Sequence, residues 1–238
     1  MSTATESKSA TRTAGSLPPA ALLFELEGVT LPIRKSLFEV AAQCLGDRRV
    51  KLDVSVFNRC TGPLVTLAGQ LQQHLGVDGS SVELAQAMNE RLVRQLSSGK
   101  LDLSAGVEKI LKAADQRGLP AAVLTGLPES VAQAAFNGTA LESRGIQLFV
   151  FSDEDKPFPR ADAWLKVAKQ LGKTPRFCVA FGSSHAACKS ALSAGMRTVA
   201  VPDAYTGFHD FGGADLILDS WDDITASELL DALIPPLH

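Results

Sequence analysis

The sequence of 238 residues predicts an α/β fold in which helices cover both faces of a parallel β-sheet. Short, nearly uninterrupted apolar runs recur along the chain, as is typical of strands buried on both faces of such a sheet. Stretches with apolar residues at helical spacing separate these runs, as βαβ connections require. Glycines follow several of these stretches, at the place where a helix C-cap is expected: Gly118, Gly172 and Gly195.

Six strands are predicted from the apolar runs, at 20–26, 120–125, 147–151, 176–181, 197–201 and 215–218. The connections between them favour helices, notably over 164–172, 185–194 and 224–233. A further helical stretch ends at Arg117-Gly118, directly before the second strand. This alternation of strand and helix predicts a parallel sheet.

Residues 33–104 interrupt the alternation because they contain no strand-like run. Three groups of apolar residues repeat there at helical spacing: Leu37, Val40, Ala41 and Cys44; Leu64, Leu67, Ala68 and Leu71; and Leu84, Ala87, Met88, Leu92 and Leu96. We therefore predict a core of residues 19–32 and 105–238 that is interrupted by a helical domain of residues 33–104. Residues 1–18, which are rich in Ser, Thr and Ala, are predicted to form a disordered tail.

The charge and cysteine content exclude several classes of protein. The 23 basic and 26 acidic residues give a net charge of −3, and the basic residues are dispersed, which argues against nucleic-acid and anionic-membrane binding. Apolar runs stay well short of the roughly 20 residues of a membrane span. The four cysteines have no C-x-x-C spacing, which argues against a zinc site and favours reduced thiols in the cytoplasm.

Polar residues stand where several of the predicted strands end. Glu25 and Glu27 close the first run, Thr125-Gly126 the second, and Gly182-Ser183-Ser184 the fourth, while Lys156 follows the third. In open α/β sheets, ligands bind outside the carboxyl ends of the strands. We therefore expect these residues to converge at one edge of the sheet, beneath the helical insert.

Four motifs stand at these strand ends in a set order: Phe24-Glu25-Leu26-Glu27-Gly28-Val29, Ala122-Val123-Leu124-Thr125-Gly126, Lys156-Pro157-Phe158-Pro159, and Val179-Ala180-Phe181-Gly182-Ser183-Ser184 with Ala194-Gly195-Met196 at its end. In this order and spacing they resemble the haloacid dehalogenase-like (HAD) hydrolases. The resemblance covers about residues 22–233 and points to the branch with a helical cap after the first strand, which includes phosphoglycolate phosphatase-like and β-phosphoglucomutase-like proteins. It implies a Rossmann-like core, with residues 33–104 as the cap.

The resemblance also implies a chemistry, in which a first Asp is the nucleophile and forms an aspartyl phosphate. A second Asp, two positions later, is the general acid and base. Mg²⁺ is held by the first Asp, the backbone carbonyl of the second, and an acid of the fourth motif. Here these positions carry Glu25, Glu27 and Ser183. The extra methylene of Glu25 displaces the attacking oxygen by about 1.5 Å, and a misplacement of about 1 Å can lower the rate about 100-fold. Ser183 offers Mg²⁺ no anionic oxygen.

These substitutions predict a HAD-like homologue with lost or strongly reduced phosphatase activity that works as a binding or regulatory protein. Thr125, Gly126 and Lys156 are then expected to bind a small phosphorylated or other anionic ligand. One alternative is an active phosphatase or phosphotransferase with Glu25 as nucleophile, for which Mg²⁺ would be the cofactor; without activity no cofactor is expected. Another is a protein-interaction module that uses the cap, with a partner that the sequence does not name.

Several of these residues also have a structural interpretation. Glu25 and Glu27 would then be structural carboxylates with Lys156 as an ion-pair partner, and Thr125 would cap the following turn. Ser184 is predicted to be the N-cap of the next helix. His185 is predicted to face solvent, or alternatively to replace the missing metal ligand. The acids Asp153, Glu154 and Asp155 suit a solvated turn, or one of them reaches the site in place of Ser183.

Overall fold

The structure is a computed structural model that describes residues 19–99, 101–153 and 156–234. The predicted disordered tail over 1–18 lies outside the described residues, and so do Glu154 and Asp155 of the predicted acidic turn.

Six parallel strands form one sheet in the order β3-β2-β1-β4-β5-β6. The strands are β1 (Leu22–Glu25), β2 (Ala121–Thr125), β3 (Gln147–Val150), β4 (Val179–Gly182), β5 (Arg197–Ala200) and β6 (Leu216–Ile217). The predicted α/β fold with a parallel sheet is confirmed. The fourth strand begins later than predicted, because Pro175–Phe177 form a 3₁₀ turn that starts with proline.

The helices are α1 (Ile33–Gly46), α2 (Val54–Phe57), α3 (Leu64–Leu75), α4 (Ser81–Ser98), α5 (Ala105–Gln116), α6 (Glu129–Phe136), α7 (Ala140–Ser143), α8 (Ala161–Gln170), α9 (His185–Ser193) and α10 (Ala226–Leu233). Four of them, α1 to α4, lie between β1 and α5. The short helices α2 and α7 were not predicted, because four residues are too few to display a periodic pattern. Among the helices of the described residues, none has the length and apolar composition needed to cross a membrane.

The sheet is buried on both faces, which is why its strands are apolar without alternation. Leu22 and Phe24 of β1 pack toward one face, which α5, α6 and α10 cover. Leu23 packs toward the other face, which α8 and α9 cover. The ring of Phe24 stacks on that of Phe181 in β4, with 4.5 Å between the ring centroids. The two central strands are thus packed on both faces, and their carboxyl ends form the base of the site.

A close contact at the start of α5 predicts a strong effect on stability. A methyl group added to Gly106 would lie 1.9 Å from a ring carbon of Trp221, and that ring stacks on Phe181. We expect Gly106→Ala to lower the free energy of unfolding by about 2–3 kcal/mol, measured by urea unfolding, because the indole must move. The matched control is Gly46→Ala, whose methyl would meet no atom within 4 Å. The control should be neutral or stabilising by up to about 1 kcal/mol. Equal stability of the two variants would contradict the packing described here.

Candidate active site at the carboxyl edge of the sheet

The turn after β1 brings two glutamates to the centre of the sheet edge. Glu25 is the last residue of β1, and Glu27 stands two positions later in the turn. Gly28 has a φ of +82°, which suits glycine. A methyl group on Gly28 would lie 2.7 Å from Oγ of Ser183 and 2.8 Å from Oδ2 of Asp203. The glycine therefore lets the loops after β1, β4 and β5 come into contact.

Both carboxylate oxygens of Glu25 are engaged by other residues. Its Oε1 accepts a hydrogen bond from Nη2 of Arg34 at 3.1 Å, which is also an ion pair. Its Oε2 accepts from the backbone N–H of Ser183 at 2.6 Å and from the Ser183 hydroxyl at 2.8 Å. Glu25 is only 4% exposed. Burial raises the pKa of Glu25, while the Arg34 charge and the Ser183 hydrogen bonds lower it.

The prediction that Lys156 is the ion-pair partner of Glu25 is wrong, because Arg34 takes that place. Lys156 is exposed and forms no ion pair with another described residue. It follows β3 in a segment that folds back over the end of β2, where Gly126 lies close to Phe158: a methyl group on Gly126 would be 2.9 Å from the Phe158 carbonyl oxygen. Lys156, two residues before Phe158, therefore belongs to the same edge of the sheet as Thr125.

Ser183 joins the two ends of the glutamate turn. Its Oγ lies 2.8 Å from Oε2 of Glu25 and 2.9 Å from the backbone carbonyl oxygen of Glu27. A hydroxyl has a single proton, so it donates to one of these acceptors at a time. The same Oγ accepts from Nη2 of Arg34 at 3.1 Å. A neutral hydroxyl thus crosslinks these groups at the position where the resemblance implies an acid.

Glu27 is paired with Thr125 on one side only. The Thr125 hydroxyl donates to Oε1 of Glu27 at 2.7 Å and accepts from the backbone N–H of Leu127 at 3.1 Å. Oε2 of Glu27 is buried and has no hydrogen-bond partner among the described residues. Burial, followed by the negative charge of Glu25, raises the pKa of Glu27 to about 7, although the Thr125 hydrogen bond lowers it. The carboxyl of Glu27 is therefore partly protonated near neutral pH.

The residues after Ser183 have structural partners. The prediction that Ser184 is the N-cap of α9 is confirmed, because its Oγ accepts from the backbone N–H of Ala187 at 3.2 Å. The ring of His185 is engaged by a loop rather than free in solvent, and its replacement of the metal ligand stays a prediction. It is half-buried, with Nδ1 against the carbonyl oxygen of Asp210 and its backbone N–H bonded to His209.

Two site residues were missed by the sequence analysis, Arg34 and Asp203. Nε of Arg34 lies 3.6 Å from Oδ2 of Asp203, and Oδ1 of Asp203 accepts from the backbone N–H of Tyr205 at 2.8 Å. Each residue left a signal in the sequence. Arg34 stands in the first turn of α1, where the helix dipole disfavours a cation, so a compensating anion was to be expected. Asp203 follows the carboxyl end of β5, where ligands bind in such sheets.

The Mg²⁺ ion that the resemblance implies does not fit these residues as they stand. Oε2 of Glu25 and the carbonyl oxygen of Glu27, which would hold the ion, both lie within hydrogen-bonding distance of the Ser183 hydroxyl. A guanidinium group already lies 3.1 Å from the other oxygen of Glu25. In the part of the chain that the structure describes, no group of three or more His, Cys, Asp or Glu side chains is arranged to hold a metal ion.

A cleft of about 380 Å³ opens between α3 and α4 on one side and the ends of β2 and β3 on the other. Its wall includes Val82 and Asn89 of α4 as well as Gly126 and Ser130. The Ser130 hydroxyl donates to Asn89 at 3.2 Å and so links the two sides. Among the described residues that line the cleft, Glu129 alone carries a charge, so the lining itself offers no cation to a phosphate group.

Comparison with known proteins places this geometry in a family. A sequence model of the haloacid dehalogenase-like hydrolases matches residues 24–195. The protein CbbY from Rhodobacter capsulatus is 31% identical over 208 residues, which cover 82% of this chain and 90% of CbbY. The fold is similar to that of CbbY from Rhodobacter sphaeroides in complex with phosphate, with a TM-score of 0.75 at 21% identity over 86% of this chain and 95% of that one. A substituted form of that protein in complex with xylulose-(1,5)bisphosphate has a TM-score of 0.72, at the same identity and coverage. The chain therefore belongs to the haloacid dehalogenase-like hydrolases, in the branch that carries a helical cap.

Proposed function

We propose that this chain is a HAD-like homologue with lost or strongly reduced phosphatase activity, which works as a binding or regulatory protein. The engagement of both carboxylate oxygens of Glu25 is the observation that carries the proposal. A nucleophilic carboxylate must turn a free oxygen toward phosphorus at about 3–3.5 Å. In Glu25 one oxygen is ion-paired with Arg34, and the other accepts two hydrogen bonds from Ser183. Attack would require breaking buried, charge-assisted hydrogen bonds, each worth about 1.5–3 kcal/mol.

An activity assay tests this proposal directly. We expect the full chain to hydrolyse an aryl phosphate in the presence of Mg²⁺ no faster than its Glu25→Ala variant. The Glu25→Ala variant controls for contaminating phosphatases, because their activity would be the same in both preparations. Hydrolysis that is lost in Glu25→Ala would overturn the proposal and make Glu25 a nucleophile.

We further propose that the carboxyl edge of the sheet beside the cleft, where Lys156 supplies the positive charge that the cleft lining lacks, retains affinity for a small phosphorylated or anionic ligand. Support comes from the exposed Lys156, which lies two residues before the Phe158 that contacts Gly126, in a chain whose fold is similar to that of proteins that bind phosphate and a sugar bisphosphate. Thr125 contributes less than predicted, because its hydroxyl proton is donated to Glu27. Lys156, together with backbone N–H groups that follow the carboxyl ends of the strands, would therefore bind the anion.

The anion proposal predicts a selective effect of the lysine charge. We expect Lys156→Ala to weaken the binding of inorganic phosphate, measured by calorimetry, by about 5–10-fold, equivalent to about 1–1.4 kcal/mol. Lys112→Ala, which removes another exposed lysine, on α5, is the matched control and should leave binding unchanged. Equal affinities of the two variants would argue against a phosphate site at Lys156.

The second candidate function is an active phosphatase, and the state of Glu27 favours it. A general acid works best when its pKa is close to the working pH, and the pKa of Glu27 is raised to about 7. Oε2 of Glu27 is buried and has no partner among the described residues, so it is the oxygen left to carry the proton. This candidate predicts that Glu27→Gln and Glu25→Ala both abolish turnover in the aryl phosphate assay.

We also propose that the protein acts in the cytoplasm. All four cysteines are free and buried, which suits a reducing compartment. Burial raises the pKa of Cys188 to about 12, so this thiol is unreactive despite its place near the start of α9.

A further inference from the structure

The guanidinium group of Arg34 lies among the groups that converge at the sheet edge. Its Nη2 is 3.1 Å from Oε1 of Glu25 and 3.1 Å from Oγ of Ser183, and its Nε is 3.6 Å from Oδ2 of Asp203. The Arg34 side chain is 21% exposed, against 5% for Glu25 and 20% for Asp203. The cation therefore bridges two shielded carboxylates that belong to different strands, one at the end of β1 and the other after β5.

Two shielded carboxylates that share one guanidinium depend on its positive charge. Breaking a buried ion pair by removing one partner costs about 3–5 kcal/mol, because the remaining charge is desolvated and uncompensated. In Arg34 the chain supplies this charge permanently, since a guanidinium does not lose its proton in proteins. The position of Arg34 in the first turn of α1, against the helix dipole, is then understandable as a consequence of this charge balance.

We propose that the guanidinium of Arg34 takes the place of a divalent cation and excludes such ions from the oxygens of Glu25, Glu27 and Asp203. A divalent ion would have to approach the same carboxylates beside a fixed positive charge, which repels it strongly where water is scarce. The guanidinium cannot perform the chemistry of the ion, because it offers hydrogen bonds but no open coordination position. Exclusion of the ion follows from the position of Arg34 alone. It deepens the proposed function, and only the consequence that the protein works without a metal rests on that function.

A variant without the Arg34 guanidinium should therefore have a metal site that the wild type lacks. The carboxylates of Glu25 and Asp203 and the backbone carbonyl of Glu27 are oxygen donors of the kind that hard cations prefer. Removing the guanidinium frees one oxygen of each carboxylate. These donors lie on neighbouring loops, because Ser183 contacts the Glu27 carbonyl oxygen and Gly28 lets Ser183 and Asp203 approach the same turn.

Mn²⁺ binding to the full chain tests the inference without any substrate. We expect no specific binding to the wild type up to about 1 mM, measured as loss of the free-ion signal in electron paramagnetic resonance. Arg34→Gln removes the charge and should bind one Mn²⁺ per chain at least about 10-fold more tightly than the wild type. Arg34→Lys keeps the charge and is the matched control that should still exclude the ion. Adding Asp203→Asn to Arg34→Gln should weaken the new site.

Thermal unfolding provides a second measurement if Arg34→Gln is unstable. Mn²⁺ should raise the Tm of Arg34→Gln and leave that of the wild type unchanged, because only the variant binds the ion in its folded state. A wild-type chain that binds Mn²⁺ as tightly as Arg34→Gln, and loses it on Asp203→Asn, would overturn the inference. So would an Arg34→Gln chain that gains neither binding nor stability from Mn²⁺. A wild type that excludes Mn²⁺ yet hydrolyses aryl phosphates through Glu25 would contradict only the proposed function.

Discussion

Replacing Glu25, Glu27 and Ser183 with aspartate and Arg34 with glutamine is expected to create Mg²⁺-dependent phosphatase activity at least about 100-fold above that of the parent chain. Glu25→Asp and Glu27→Asp shorten the two side chains to the length that the family uses. Ser183→Asp adds the missing acid, and Arg34→Gln removes the competing cation. These changes act on one transition state, so each alone should have little effect.

The matched control for this variant is the triple variant Glu25→Asp, Glu27→Asp and Ser183→Asp, in which Arg34 is retained. We expect it to remain within a few-fold of the parent, because its guanidinium still opposes the metal. Gly182 stays unchanged in both variants, since a methyl group there would lie 3.0 Å from Cβ of Ala187 and 3.3 Å from Sγ of Cys188. Hydrolysis of an aryl phosphate in Mg²⁺ is the measurement. Equal activities of the two variants would assign no role to Arg34, and an inert variant that binds Mg²⁺ would favour partner binding through the cap.

The unfolding free energy of the wild type should fall by about 2 kcal/mol between pH 5 and pH 8 because of Glu27 alone. The pKa of Glu27 is raised from 4.5 to about 7 in the folded chain, chiefly by burial and next by the charge of Glu25. The folded state therefore holds a proton that the unfolded state releases, and stability is lost as the pH rises from 4.5 toward 7. Only above about pH 8 is Glu27 ionised in both states, and there the contribution no longer changes.

Glu27→Gln removes this titration while its amide oxygen still accepts the hydrogen bond from Thr125. Between pH 5 and pH 8, the unfolding free energy of the variant should fall by about 2 kcal/mol less than that of the wild type, measured by urea unfolding. Glu108→Gln, which changes an exposed glutamate on α5, should retain the wild-type dependence. If Glu27→Gln and the wild type lose the same stability over this range, Glu27 is ionised in the folded chain at pH 5, and its role as a general acid is also excluded.

The order of strands and helices was accessible from the sequence because it depends on local patterns. The buried run at β1 and the helical spacing in α3, α4 and α8 follow from side chains within a few turns of one another. The N-cap at Ser184 and the glycine C-caps are equally local, and the structure confirms them: Gly118, Gly172 and Gly195 have φ angles of +64°, +65° and +71°. The start of β4 was misplaced where Pro175 begins a 3₁₀ turn, which an apolar pattern does not reveal.

The sequence also indicated which strand ends carry the polar residues, since parallel strands bring their carboxyl ends to one edge. It could not assign the partners of those residues, because the ion pair and hydrogen bonds of Glu25 depend on packing between distant segments. Ser183 is 158 residues away from Glu25 along the chain, and Arg34 is 149 residues away from Ser183. The sequence by itself therefore determined the family fold and the missing acids. Only the tertiary structure decided that Arg34, rather than Lys156, neutralises Glu25, because the energy of a charge pair depends on the distance and burial that the fold imposes.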